Sequence, residues 1–148
     1  MAIADNRKAR FDYEVLETLE AGIELLGLEV KSLRTMTAGL DGSYVTVRGG
    51  EAFLMNMQVP PYQPSNTPAE YDPLRIRRLI LTKKEIRHLA DTESGQGLTI
   101  VPLKVYNKGK KVKVQIAIVR GKKKFDKRES VKKRESDRHI ERTLKGGE

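Results

Sequence analysis

A chain of 148 residues with 29 Lys and Arg against 20 Asp and Glu, a net charge of +9, is long enough for one domain with a modest core and a tail, and its surface attracts polyanions. With no Cys, disulfides, thiolate zinc sites and thiol nucleophiles are excluded, and His88 and His139 are the only imidazoles. No apolar run approaches the roughly 20 residues that span a bilayer and Met1 to Arg10 is polar, so the expectation is a cytoplasmic protein whose partners are nucleic acid, acidic protein or an anionic surface.

Residues 1–10 carry Arg7, Lys8 and Arg10 without apolar periodicity and read as a flexible basic arm. From Phe11, apolar residues flank charged ones at nearly every second position, which predicts a strand to about Glu24 with an irregularity at Gly22. Leu26, Val30 and Leu33 follow at helical spacing and place Glu29, Lys31 and Arg34 on the opposite side of a short helix. Tyr44 to Val47 and Ala52 to Val59 are strand-like, with Tyr44 and Phe53 read as core, and Gly49-Gly50 between them suits a tight hairpin.

Pro60, Pro61, Pro64, Pro68 and Pro73 mark an exposed loop. Arg77 to Leu81 is a short basic and apolar run, after which Thr82 and Glu85 have the spacing of a capping box for a helix that buries Ile86, Leu89 and Ala90. Leu98 to Tyr106 and Lys111 to Arg120 form the clearest hairpin: Val112, Val114, Ile116 and Ile118 face a core while the alternate residues face solvent or ligand, and Pro102 signals an edge or a bulge. After Gly121 the chain holds many charges but few large apolar residues, too little to offset the entropy of ordering, so residues 121–148 are expected to be disordered in isolation.

These elements predict a mainly β domain over residues 11–120. A small antiparallel β-barrel of oligonucleotide-binding type with two or three short helices fits best, and a β-sandwich is the alternative. The scattered acids do not cluster as a metal-dependent nuclease requires, and no GxxxxGK[ST] phosphate loop is present, so neither an enzyme nor a cofactor is expected. A structural ribosomal protein remains open. A generic single-strand binder would carry more aromatics than five Tyr and three Phe.

Several separated segments have a recognisable order. They are Asn6-Arg7-Lys8-Ala9-Arg10, Glu20-Ala21-Gly22-Ile23, Glu29-Val30-Lys31-Ser32-Leu33-Arg34, Gly42-Ser43-Tyr44-Val45, Arg77-Arg78-Leu79-Ile80-Leu81, Thr99-Ile100-Val101-Pro102-Leu103-Lys104, and Gly121-Lys122-Lys123 followed by Asp126-Lys127-Arg128-Glu129. Over almost its entire length the chain resembles the small protein B family, the SsrA-binding proteins. The resemblance implies a barrel that grips the elbow of the tRNA-like part of transfer-messenger RNA and a tail that turns helical inside the ribosome. Partners would be that RNA, the ribosomal RNA of the decoding centre and, indirectly through the charged RNA, elongation factor Tu; the protein would be a monomer, off the membrane, that breaks no bond.

The family pattern also assigns residues. Glu20 falls at the acidic RNA-contacting position, where a carboxylate accepts from a base or a 2′-hydroxyl, and its plainer reading is a solvated strand residue. Asn6, Arg7, Arg10, Lys31, Arg34, Arg77 and Lys83 are the further RNA-binding candidates, while Ile80 and Thr82 match a contact pair in which Thr82 departs from the usual His or Asn and doubles as a helix cap. Lys122, Lys123, Asp126, Lys127, Arg128, Lys132 and Arg134 form a dense, mainly basic block for ribosomal RNA. Ile140 and Leu144, at i and i+4, would give the tail one apolar patch.

Overall fold

Alternating apolar and polar residues build the framework of the described residues as antiparallel strands. The computed structural model describes residues 2–35, 38–95 and 97–121. In chain order the elements are β1 (Ala2–Asp5), α1 (Arg7–Asp12), β2 (Tyr13–Ile23), α2 (Gly27–Thr35), β3 (Tyr44–Arg48), β4 (Glu51–Met55), β5 (Arg77–Ile80), α3 (Lys83–Glu93), β6 (Leu98–Lys108) and β7 (Lys111–Gly121). The strands form one sheet in the order β1-β6-β7-β2-β5-β4-β3.

The sheet curls until β3 lies beside β6, giving a nearly closed barrel. At the junction the last residue of α3, Glu93, accepts from the Thr46 hydroxyl at 2.9 Å and from the Val47 amide at 2.9 Å, so the helix supplies partners that a neighbouring strand would otherwise give. Inward residues Ala21, Val45, Leu54, Leu79, Val105, Val114 and Ile116 pack one core, and α3 adds the fully buried Leu89. A smaller cluster of Ala9, Val101, Leu103, Ala117 and Val119 lies where α1 covers the other face of the sheet.

The expected flexible arm is folded instead. β1 pairs with β6, Asp5 opposite Lys104 and Ala4 opposite Val105. Asn6 then caps α1, its side-chain oxygen accepting from the Ala9 amide at 3.1 Å while its amide donates to the Pro102 carbonyl at 2.9 Å. Four strand residues and a six-residue helix are too short for a periodic signal, and their partners lie far along the chain. Phe11 accordingly belongs to α1, and the irregularity of β2 falls between Val15 and Glu17, not at Gly22.

The hairpins follow the expected pattern more closely. Gly49 and Gly50 turn from β3 to β4 with φ of 58° and 77°, values that side chains disfavour. The second strand of that hairpin stops at Met55, short of the expected Val59, where Asn56 takes a φ of 62°. Pro102 sits at a register shift in β6, and the bulge absorbs its missing amide hydrogen inside a strand that is paired on both sides. Tyr44 is not core, being 40% exposed on β3, and Phe53 is half-buried.

Candidate nucleic-acid interface

The register of four strands lays out the outer face. Ile80 on β5 stands opposite Gly22 on β2, Gly22 opposite Lys113 on β7, and Lys113 opposite Tyr106 on β6. In the adjoining row Glu20 stands opposite Gln115, and Gln115 opposite Lys104. Their neighbours in sequence Ala21, Val114 and Val105 point into the core, so these residues point outward.

Ile80 is 53% exposed, a large aliphatic side chain in an otherwise polar region. A Cβ on Gly22 would stand 3.1 Å from the Ile80 Cβ, so the missing side chain on β2 leaves Ile80 room to lie across that strand. Arg78, two residues earlier on the same face, is engaged by Glu24 and by Glu51 at 3.4 Å. Those carboxylates raise its pKa, and Arg78 in turn lowers that of Glu24.

Glu20 is an acid set among lysines on this face. It accepts a hydrogen bond from the Tyr106 hydroxyl and another from the Lys108 ammonium, 3.1 Å from Oε1. The Tyr106 bond, then Lys108 and the charge of Lys113, hold its carboxyl below the ordinary glutamate range. Burial and the bond to Glu20 push the Tyr106 hydroxyl up to about 12. The Lys104 ammonium stands 5.2 Å from the centre of the Tyr106 ring, a cation–π distance.

Other candidates divide by exposure. Arg7 and Arg10 are exposed on α1, with Arg10 3.4 Å from Asp5; Lys31 and Arg34 are exposed on α2, and Lys83 is exposed in the first turn of α3. Thr82 caps α3, accepting from the Glu85 amide at 3.2 Å while the Glu85 carboxylate accepts from the Thr82 amide at 3.0 Å. Lys122, Lys123, Asp126, Lys127, Arg128, Lys132, Arg134, Ile140 and Leu144 lie outside the described residues.

Two candidates are buried, and the expectation of RNA contact is corrected for both. Asn6 is 3% exposed and serves as the α1 cap described above. Arg77 is wholly buried in the barrel, where it donates to Glu29 Oε2 at 2.8 Å, to the Met57 carbonyl at 2.6 Å and to the Pro73 carbonyl at 3.0 Å. Glu29, expected on the polar side of its helix, is the fully buried partner and also accepts from Arg75, from the Leu26 amide at 2.8 Å and from the Tyr71 hydroxyl at 3.2 Å. Burial pushes the Glu29 carboxyl up, but these hydrogen bonds and the Arg77 charge outweigh it and hold the carboxyl below its ordinary range.

Tyr106, Lys104, Lys108 and Lys113 were not among the candidates read from the sequence. Their signal was the alternation of the last hairpin, whose non-core residues include Lys104, Tyr106, Lys108, Lys113 and Gln115. Among the described residues no group of three or more His, Cys, Asp or Glu could hold a metal ion, and no helix is long and apolar enough to cross a membrane.

The curled sheet and its lysine-rich outer face define a small basic β-barrel of the nucleic-acid-binding kind. A family model described as SmpB protein matches residues 3–146. The SsrA-binding protein of Ligilactobacillus salivarius is 50% identical over 144 residues, covering 97% of this chain and 92% of the relative. That of Thermosipho melanesiensis is 52% identical over 146 residues, covering 97% and 98%. A solved chain described under "tmRNA-SmpB: a journey to the center of the bacterial ribosome" is 44% identical, with a TM-score of 0.68 over 86% of this chain and 92% of that one. This chain belongs to the SmpB family, as its sequence segments implied.

Proposed function

We propose that this protein binds the tRNA-like part of transfer-messenger RNA with the outer face of its barrel and brings that RNA to stalled ribosomes, so that the stalled peptide is tagged and the ribosome released. The observation that carries this reading is the full-length match to SsrA-binding proteins, reinforced by the chain of known structure described with tmRNA and the bacterial ribosome. The outer face suits the task chemically. Lysines attract phosphate without regard to sequence, Ile80 offers an apolar surface to an unstacked base, and the Glu20 carboxylate accepts from a base edge or a 2′-hydroxyl.

The proposed contacts are Arg7, Arg10, Glu20, Lys31, Arg34, Ile80 and Lys83, all on exposed positions. The protein acts as a single copy by binding alone, without cofactor or bond chemistry, in the cytoplasm where ribosomes stall, and meets elongation factor Tu only through the charged RNA. The segment 121–148, with Lys122 to Arg134 as its cationic block, engages ribosomal RNA of the empty decoding centre.

Two measurements on the full chain test the proposal. In a gel-shift titration it binds transfer-messenger RNA more tightly than an unrelated stem-loop of equal length; equal affinities would sink the specific reading. Replacing Asp126, Lys127 and Arg128 together by Ala leaves that binding largely intact yet abolishes peptide tagging in a reconstituted ribosome assay. Tagging that survives the triple replacement reduces the segment to solvating charge.

A further inference from the structure

We infer that Tyr106 is a positioning residue that aims the Glu20 carboxylate at RNA and thereby sets which RNA the protein prefers; this rests on the reading above, that the Glu20 face meets transfer-messenger RNA. Glu20 and Tyr106 lie on strands separated by β7, yet the tyrosine hydroxyl reaches across β7 to Oε2 of Glu20. A glutamate side chain on an open sheet has several rotatable bonds and no reason to hold one direction. Tyrosine has a rigid ring with few rotamers, and the Lys104 ammonium stands 5.2 Å from its centre.

Lys108 is a different kind of partner. Its ammonium stands 3.1 Å from Oε1 and 3.4 Å from Oε2, but its side chain is 64% exposed and flexible, so an arriving phosphate can draw it away. The tyrosine hydroxyl has its proton committed to Glu20 and keeps that proton throughout the neutral range. The charged and titratable groups facing the carboxylate are therefore Tyr106 and Lys108 from β6 and Lys113 from β7, beside the neutral Gln115 opposite Glu20, and of those three Tyr106 alone can fix its direction without competing for phosphate.

Direction matters because a carboxylate discriminates only when aimed. An ionised carboxylate has about four lone-pair directions, of which the bond from Tyr106 to Oε2 and those from Lys108 to both oxygens occupy three. A base amino group, an imino group or a 2′-hydroxyl can donate to the rest, whereas a phosphate oxygen has no proton to give and is repelled. Held in place, Glu20 rewards an RNA that presents a donor at that point and penalises one that presents backbone.

The test uses the full chain, transfer-messenger RNA and an unrelated stem-loop, with Tyr106→Phe, which keeps the ring and removes the hydroxyl. The variant binds transfer-messenger RNA about three- to tenfold more weakly, the worth of one positioned hydrogen bond, and binds the stem-loop as the wild type does. In a double-mutant cycle the Tyr106→Phe effect disappears on a Glu20→Ala background. The acid limb of transfer-messenger RNA binding also moves to higher pH in Tyr106→Phe, because the largest influence lowering the Glu20 pKa is gone. Undiminished discrimination, an equal loss for both RNAs, or an effect that persists without Glu20 overturns the inference. A wild-type protein that does not distinguish the two RNAs overturns the functional reading itself, a result separable from any behaviour of the variant.

Discussion

The barrel contains two glutamates with the same kinds of neighbour and opposite fates. Glu29 and Glu20 each accept from a tyrosine hydroxyl and from cationic side chains, Tyr71 with Arg75 and Arg77 in one case, Tyr106 with Lys108 in the other. Glu29 is fully buried, and its two oxygens accept from three side chains and the Leu26 amide. Glu20 lies on the outer face with its side chain 39% exposed and an acceptor direction to spare. A carboxylate whose acceptors are saturated inside low dielectric is a structural joint; one held by fewer partners at the surface keeps an acceptor direction free for a ligand. The choice of cation follows the same division, since the planar guanidinium of Arg77 satisfies several carbonyls at once, while a lysine ammonium is easily exchanged.

Breaking the buried joint gives the largest effect. Glu29→Ala leaves the Arg77 guanidinium inside the barrel without its counter-charge, a loss on the order of 3 to 5 kcal/mol, read as a reduced urea midpoint with the folded baseline intact. A midpoint close to wild type would mean that the cluster is solvated and the contrast with Glu20 is false. The pH dependence sharpens the point. The Glu29 pKa is lowered in the folded state, so its contribution is fully present above the unfolded value of about 4.3 and is lost as pH falls through the lower, folded value. Urea midpoints measured from neutral to acid pH should therefore fall in that acid window, and the fall should be smaller in Glu29→Gln, which cannot titrate.

Glu20→Ala should have the converse profile. It removes no buried group, so the urea midpoint stays near the wild-type value, while affinity for transfer-messenger RNA drops roughly tenfold in filter binding, as expected for a charge-assisted hydrogen bond. An exposed acid of no assigned role, Asp91, serves as the comparison: Asp91→Ala changes neither quantity. If Glu20→Ala unfolds the protein, the outer cluster is a joint as well and the division between the two glutamates collapses.

What could be read from the sequence divides along similar lines. Alternation from Val112 to Ile118 gave the core face of β7, and Thr82 with Glu85 gave the start of α3, because both signals are complete within a few residues. Helical spacing put Glu29 on the polar side of α2, and the structure reverses this because its partners Arg75 and Arg77 arrive from beyond the proline-rich loop. The same non-local logic hid β1, whose partner strand β6 is near the other end of the domain, and Tyr106, whose phase on β6 was legible but whose bond to Glu20 was not. Gly22 belongs to the same class: a glycine reads as an irregularity until the strand opposite brings Ile80 over it.

The smallest expected effect concerns Thr82, two residues past Ile80, where a candidate contact and a local structural role compete for one hydroxyl. In the structure that hydroxyl accepts from the Glu85 amide and completes a reciprocal cap with the Glu85 carboxylate, a local structural role within one turn of helix. Thr82→Ala should cost about 1 kcal/mol of stability, the usual worth of an N-cap, and Thr82→Ser should recover most of it. RNA affinity should follow neither substitution, because the side chain's place is set by the cap of α3 and not by the outer face. Urea titration and filter binding on the same two variants decide the matter. A stable Thr82→Ala protein with weakened transfer-messenger RNA binding would move Thr82 from the helix to the contact face, beside Ile80 and Glu20.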